Sequence, residues 1–158
     1  MVQVQSEEDY TVIVDKFSDM IYRIAYQNLM NVADAEDVVQ DVFIRLLRHR
    51  RKRFDDEEHL KAWLIRVTIN RCRDYRRFVL HRNETALTEL PMEQEVQSNQ
   101  LYEEIASLPR EDRVIVYLHY YEGYSIKEIG KILGKSPNTV GSRLTRARKK
   151  LRAMLREA

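Results

Sequence analysis

The stretch that most limits how this chain folds is SIKEIGKILGKSPNTVGSRLTRARKKLR, residues 125–152. Ser125 and Glu128 stand three apart ahead of an apolar run, the spacing of a capping box. In that motif the serine hydroxyl and the glutamate carboxylate each take up one exposed N–H of a helix start. Ile126, Ile129 and Leu133 line one face of the short helix that follows, and Gly134 suits the left-handed residue that ends it. Ser136 offers a second N-cap, with Pro137 at the first helical position, where no N–H is needed. Val140, Leu144, Ala147, Leu151 and Leu155 step by four, three, four and four, and so pack inward along a second, longer helix. Two capped helices separated by about three residues make a helix-turn-helix, whose second helix enters the major groove of DNA. Gly130 fits this arrangement, because a missing side chain lets the two helices approach closely.

Charge points the same way. From Lys135 to Arg152 the chain carries seven cationic side chains and no acid, although its 158 residues sum to a formal charge of only +2. Residues 109–158 hold 12 Lys/Arg against five Asp/Glu, residues 81–108 hold one against six, and residues 1–80 hold 14 of each. A basic terminal module of this kind suits a polyanion. Its outward residues are Asn138, Thr139, Ser142, Arg143, Thr145, Arg146 and Lys149, and Asn and Arg have the donor geometry to read adenine and guanine. Lys135, Arg148, Lys150 and Arg152 suit phosphates.

Helical periodicity runs through the remainder, and four Gly and three Pro are too few for a turn-rich β fold. Ile13, Phe17, Met20 and Ile24 share one helix face. Asp34 is placed to cap a second helix, whose stripe is Val38, Val39, Val42, Phe43, Leu46 and Leu47. A basic run (48–53) and an acidic patch (55–58) precede a third helix with Leu60, Trp63, Leu64, Val67 and Tyr75, ending near Phe78. Beyond Pro109, Val114, Tyr117, Leu118 and Tyr121 repeat the pattern up to Gly123. Residues 81–100, HRNETALTELPMEQEVQSNQ, are polar, acidic and interrupted by Pro91. The expected fold class is all-α: two small helical domains, 1–80 and 101–158, joined by a flexible acidic linker, 81–100, able to span roughly 65 Å.

Other chemistries find little support. The single cysteine, Cys72, allows no internal disulfide and fits a reducing compartment. His49, His59, His81 and His119 lack metal-site spacing, so no metal or other cofactor is expected. No phosphate-cradling glycine loop or catalytic triad is present, and the chain reads as a non-enzyme. MVQVQSEEDY lacks the layout of a signal peptide and no apolar run approaches a membrane span, so a cytoplasmic, non-membrane protein is expected.

Three segments in order resemble one family, the extracytoplasmic-function (ECF, group IV) sigma factors of the sigma-70 family of bacterial RNA polymerase. DAEDVVQDVFIRLL (34–47) resembles region 2.2, and FDDEEHLKAWLIRVTINRCRDYRR (54–77) resembles regions 2.3 and 2.4. LPREDRVIVYLHYYEGYSIKEIGKILGKSPNTVGSRLTRARKKLR (108–152) resembles region 4. The resemblance implies an initiation factor that binds core RNA polymerase and directs promoter-specific transcription. Domain 1–80 would bind the β′ clamp helices through Asp37, Gln40 and Asp41. It would melt the −10 element with Phe54, Trp63, Arg66, Asn70 and Arg73. Domain 101–158 would read −35 duplex DNA through the helix-turn-helix and sit on the β flap, while the linker threads through the core enzyme. An anti-sigma factor is implied as a further partner. Arg71, Arg76 and Arg77 would join Arg66 and Arg73 on backbone phosphates.

Two departures from the family pattern stand out. Gly141 falls where many relatives carry a longer side chain, and DDEEH (55–59) is more acidic than the matching family loop. The alternative is a dimeric helix-turn-helix regulator with an N-terminal sensing or dimerisation bundle.

Overall fold

The structure is a computed structural model that describes residues 1–83 and 104–157, with the side chains of 1–80 and 104–155. The chain divides into two compact units that part between those two ranges.

The first unit is a three-helix bundle of α1 (Glu7–Leu29), α2 (Val32–Arg48) and α3 (Glu57–Asn83). Ser6 and Asp9 form a capping box at the start of α1. Met30, in the left-handed region at φ 52°, closes α1, and Asn31 caps α2 by accepting the Asp34 N–H at 2.9 Å. Asp34 is therefore not the cap. It lies one turn in, where its carboxylate accepts the Tyr75 hydroxyl and ties α2 to α3. Phe17, Ile21, Ile24, Val38, Val42, Leu46, Leu60, Leu64 and Ile65 form the core. Leu47, expected on the apolar stripe, is exposed.

Periodicity gave no sign of what the first residues do. Val2 and Phe54 exchange N–H···O bonds of 2.7 and 2.8 Å, and Gln3 donates to the Arg50 and Arg51 carbonyls. The N-terminal segment thus straps the α2–α3 connection. That connection is also shorter than DDEEH suggested, because Asp56 caps α3 by accepting the His59 N–H at 2.8 Å and α3 begins at Glu57. α3 continues past Phe78 to Asn83, so residues 81–83 are helical. The rest of the expected linker, 84–100, lies outside the described residues.

Cys72 is buried in α3, and burial pushes its thiol up to about 12. The thiolate is the reactive form. Native protein at pH 7–8 is therefore expected to resist a thiol-specific aromatic disulfide reagent and to react fully once denatured; rapid native labelling would contradict the packing of α3.

The second unit contains α4 (Arg110–Val116), a five-residue π turn (Tyr117–Tyr121), α5 (Ile126–Leu133) and α6 (Pro137–Glu157). Leu108, Ile115, Leu118, Ile129, Val140 and Leu144 are buried at its centre. The wider i→i+5 turn rotates Tyr121 off the face that an uninterrupted helical period would keep, and Tyr121 is 59% exposed, stacked on Tyr117. Ile132, missing from the expected stripe, is buried in α5, whereas Leu133 is half-buried. Leu155 is 48% exposed instead of inward. Two consecutive steps of four overrun the 3.6-residue period, and half-buried Met154 takes the inward position, its sulfur 3.5 Å from the Ser107 hydroxyl.

Candidate nucleic-acid and polymerase interfaces

The helix-turn-helix of the second unit follows the sequence closely. Ser125 Oγ accepts the Glu128 N–H at 3.1 Å, and the Glu128 carboxylate accepts the Ser125 N–H at 3.2 Å. Those bonds hold the Glu128 carboxyl below its usual range, so the cap is intact at neutral pH and weakens only as acid protonates it. Gly134 ends α5 at φ 68°, and Ser136 Oγ caps α6 by accepting the Thr139 N–H at 3.2 Å. Gly130 serves the turn more than the approach of two helices: a Cβ there would stand 2.7 Å from the Lys135 carbonyl oxygen.

On α6, Asn138, Thr139, Ser142, Thr145, Arg146 and Lys149 are exposed. Asn138, Ser142, Thr145 and Lys149 follow one line, with Thr139 and Arg146 beside it. Arg143, by contrast, has partners within the unit. Its guanidinium lies 3.0 Å from Glu111 and 3.2 Å from Asp112 on α4, with the side chain 28% exposed. It precedes buried Leu144 and so points along the flank that packs on α4. Lys135 pairs with the same Glu111, and Arg148 lies over the Tyr120 ring, so both take internal partners. Gly141 faces α5, where an added Cβ would touch Ile126 at 3.9 Å, an ordinary contact.

In the first unit a second line forms on α3. Trp63, Arg66, Asn70, Arg73 and Arg77 step by three, four, three and four, and all are exposed or half-exposed. Arg73 donates to Asn70 Oδ1 at 2.7 Å, a bond that leaves the Asn70 amide N–H groups unused. Trp63 is half-buried, its ring 5.5 Å from Phe54 and 5.7 Å from His49. Phe54 itself is 1% exposed, held by the strap from Val2 and roofed by Trp63 and His59. A ring this deeply buried presents no free face for stacking. Arg71 and Arg76 also leave the expected phosphate set. Arg71 binds Asp41 at 2.6 Å, and Arg76 donates to Asn28 at 3.1 Å. Both are half-buried by these partners, whereas Arg73 and Arg77 are exposed.

Asp37, Gln40 and Asp41 line one shallow groove of about 450 Å³ between α2 and α3, together with Arg71, Asp74, Tyr75 and exposed Phe78. Asp37 and Gln40 are exposed, while Asp41 is half-buried through its pairing with Arg71. Among the described residues, no cluster of His, Cys, Asp or Glu could hold a metal ion, and no helix is long and apolar enough to cross a membrane.

Comparison with known proteins decides the family. Residues 13–78 match sigma-70 region 2 and residues 98–151 match sigma-70 region 4. The ECF RNA polymerase sigma factor SigW of Bacillus subtilis is 32% identical, over 99% of this chain and 94% of its own length. The chain belongs to the ECF sigma factors. Another relative, the ECF sigma factor SigL of Mycobacterium tuberculosis, is 31% identical over 92% of this chain and 88% of its own length.

Two solved structures share the fold of this sigma factor. The sigma factor RpoE from Bartonella quintana, in complex with the anti-sigma factor NepR, superposes with a TM-score of 0.71 at 20% identity, covering 94% of this chain and 98% of RpoE. CnrH, in complex with the cytosolic domain of CnrY, has a TM-score of 0.67 at 25% identity, covering 97% and 91%.

As an ECF sigma factor the protein binds core RNA polymerase and directs promoter-specific transcription initiation. It is an initiation factor and not an enzyme. Family membership replaces the reading as a dimeric regulator, since a region 2 module matches where that reading needed a sensing bundle.

Proposed function

We propose that this sigma factor grips its promoter in two physical forms. The α6 helix lies in the major groove of the −35 duplex, with Asn138, Thr139, Ser142, Thr145, Arg146 and Lys149 toward the DNA. The α3 line of Trp63, Arg66, Asn70, Arg73 and Arg77 holds unpaired bases of the −10 element, with arginines on phosphates and Asn70 on a base edge. One observation supports this: along one line of α3 the exposed cations Arg66, Arg73 and Arg77 alternate with a half-buried indole and the Asn70 amide, a surface suited to an unstacked strand.

The groove of Asp37, Gln40 and Asp41 then receives the β′ clamp helices, and the second unit rests on the β flap. Exposed acid and amide groups beside Phe78 supply a polar rim with an apolar anchor, the usual make-up of a docking surface. The working division is a polymerase-binding and −10 domain at 1–80, an acidic connector at 81–100 and a −35 domain at 101–158. The protein acts in the cytoplasm, where core polymerase is. An anti-sigma factor that covers the DNA- and polymerase-binding faces is the expected inhibitor; the sigma factor RpoE, which shares this fold, was solved with the anti-sigma factor NepR.

Permanganate footprinting of the reconstituted holoenzyme tests the −10 assignment. Asn70→Ala should lower the reactivity of −10 thymines by about tenfold at equal promoter occupancy, the loss of one good base contact. Unchanged reactivity would remove Asn70 from strand capture.

A further inference from the structure

His59 belongs to the same line as the strand-binding residues. It precedes Trp63 by four, so His59, Trp63, Arg66, Asn70 and Arg73 share one face of α3 from its first turn onward. Its ring is held from two sides, and its backbone is held as well. The Asp55 backbone N–H donates to Nδ1 at 3.0 Å, and the His59 N–H is held by the Asp56 cap. The ring also meets Phe54 edge-on at 5.3 Å. The Asp55 carboxylate, 3.8 Å from the same Nδ1, is too far to compete with the hydrogen bond.

That bond settles the tautomer. A nitrogen that accepts an N–H carries no proton, so the neutral ring holds its proton on Nε2. Nε2 has no hydrogen-bond partner among the described residues, and the side chain is 44% exposed. The result is a rigid, preorganised donor at the head of the α3 line, flanked by Trp63.

Resting on the strand-capture reading above, we propose that His59 is a specificity-determining residue of the −10 site, donating Nε2–H to a ring-nitrogen or carbonyl acceptor on an unpaired base. The start of α3 then acts as scaffold: the Asp55 backbone N–H holds the ring, and the Asp56 carboxylate holds the His59 backbone N–H. Of the two carboxylates only that of Asp56 is engaged, on the His59 backbone N–H, while the Asp55 carboxylate is 95% exposed.

The test is selection by the holoenzyme, formed from the full chain and core polymerase, on fork-junction DNA whose unpaired non-template strand is randomised across the −10 element. Wild type, His59→Ala, His59→Gln and Asn70→Ala are compared by sequencing the bound fraction. His59→Ala should flatten the preference at one position, from about fivefold toward parity, the scale of one base contact. His59→Gln, which keeps an N–H at similar reach, should restore that preference. Unaltered selection by His59→Ala while Asn70→Ala changes it overturns the proposal alone. Indifference to both variants overturns the strand-capture reading. Loss in His59→Ala that glutamine does not restore means the residue only holds the loop, which also overturns the proposal.

Discussion

Gly130→Val is expected to unfold the second unit while the first remains folded. Its Cβ would lie 2.7 Å from the Lys135 carbonyl oxygen and 3.6 Å from the Pro137 nitrogen, and both neighbours are backbone. They cannot retreat without opening the turn that Gly134, at φ 68°, and the Ser136 cap hold shut. Overpacking a well-filled site costs about 1–3 kcal/mol, and a backbone obstacle places this substitution at the upper end. A small unit has little stability to lose. Native-state hydrogen exchange should show lost protection across 110–155 with protection across 7–80 unchanged. Core polymerase binding through the first unit should survive, and −35 protection should vanish. Wild-type protection in both units would mean the turn is not built this way.

Arg143→Ala and Arg146→Ala should fail in opposite ways, although the two residues stand three apart on one helix. Removing Arg143 leaves buried Asp112 without its cation and Glu111 with one fewer. A partner lost from such a group costs about 1–3 kcal/mol, so Arg143→Ala should lower the denaturant midpoint of the second unit. Arg146 is exposed and forms no ion pair with another described residue. Arg146→Ala should leave that midpoint unchanged and reduce holoenzyme affinity for −35 duplex by roughly 10- to 100-fold, the worth of a bidentate base contact. Denaturant melts beside duplex titrations at one salt concentration separate the two. A reversed pattern would interchange the residues' roles.

The contrast between these two arginines shows where the sequence was informative and where it fell short. Capping boxes, a proline at a helix start and a glycine at a helix end are local chemistry, so the helix-turn-helix could be traced residue by residue before any coordinates. The all-α class followed from periodicity in the same way, whereas Trp63, Arg66, Asn70 and Arg73 were named as −10 residues only through the family resemblance. Partner choice across helices is not local. Arg143 lies within the outward set by spacing alone, and only the position of α4 reveals that Glu111 and Asp112 claim it. Arg71 and Arg76 were misread for the same reason, being taken by Asp41 and Asn28 on other helices. The burial of Phe54 was not legible, because the strap from Val2 pairs residues 52 positions apart and leaves no periodic trace. His59 was weighed from the sequence only as a metal ligand. The signal was present in its spacing of four from Trp63, but the loop bond that fixes its tautomer is visible only in three dimensions.

The central claim is that one factor recognises paired DNA with one unit and unpaired DNA with the other. The most direct measurement is the affinity of holoenzyme for two separate probes taken from a promoter it transcribes: the −35 duplex and the single-stranded non-template −10 segment. Asn70→Ala should weaken binding to the single strand and spare the duplex, and Arg146→Ala should do the reverse. If either variant weakens both probes equally, or Asn70→Ala acts on the duplex alone, the division between α3 and α6 is wrong.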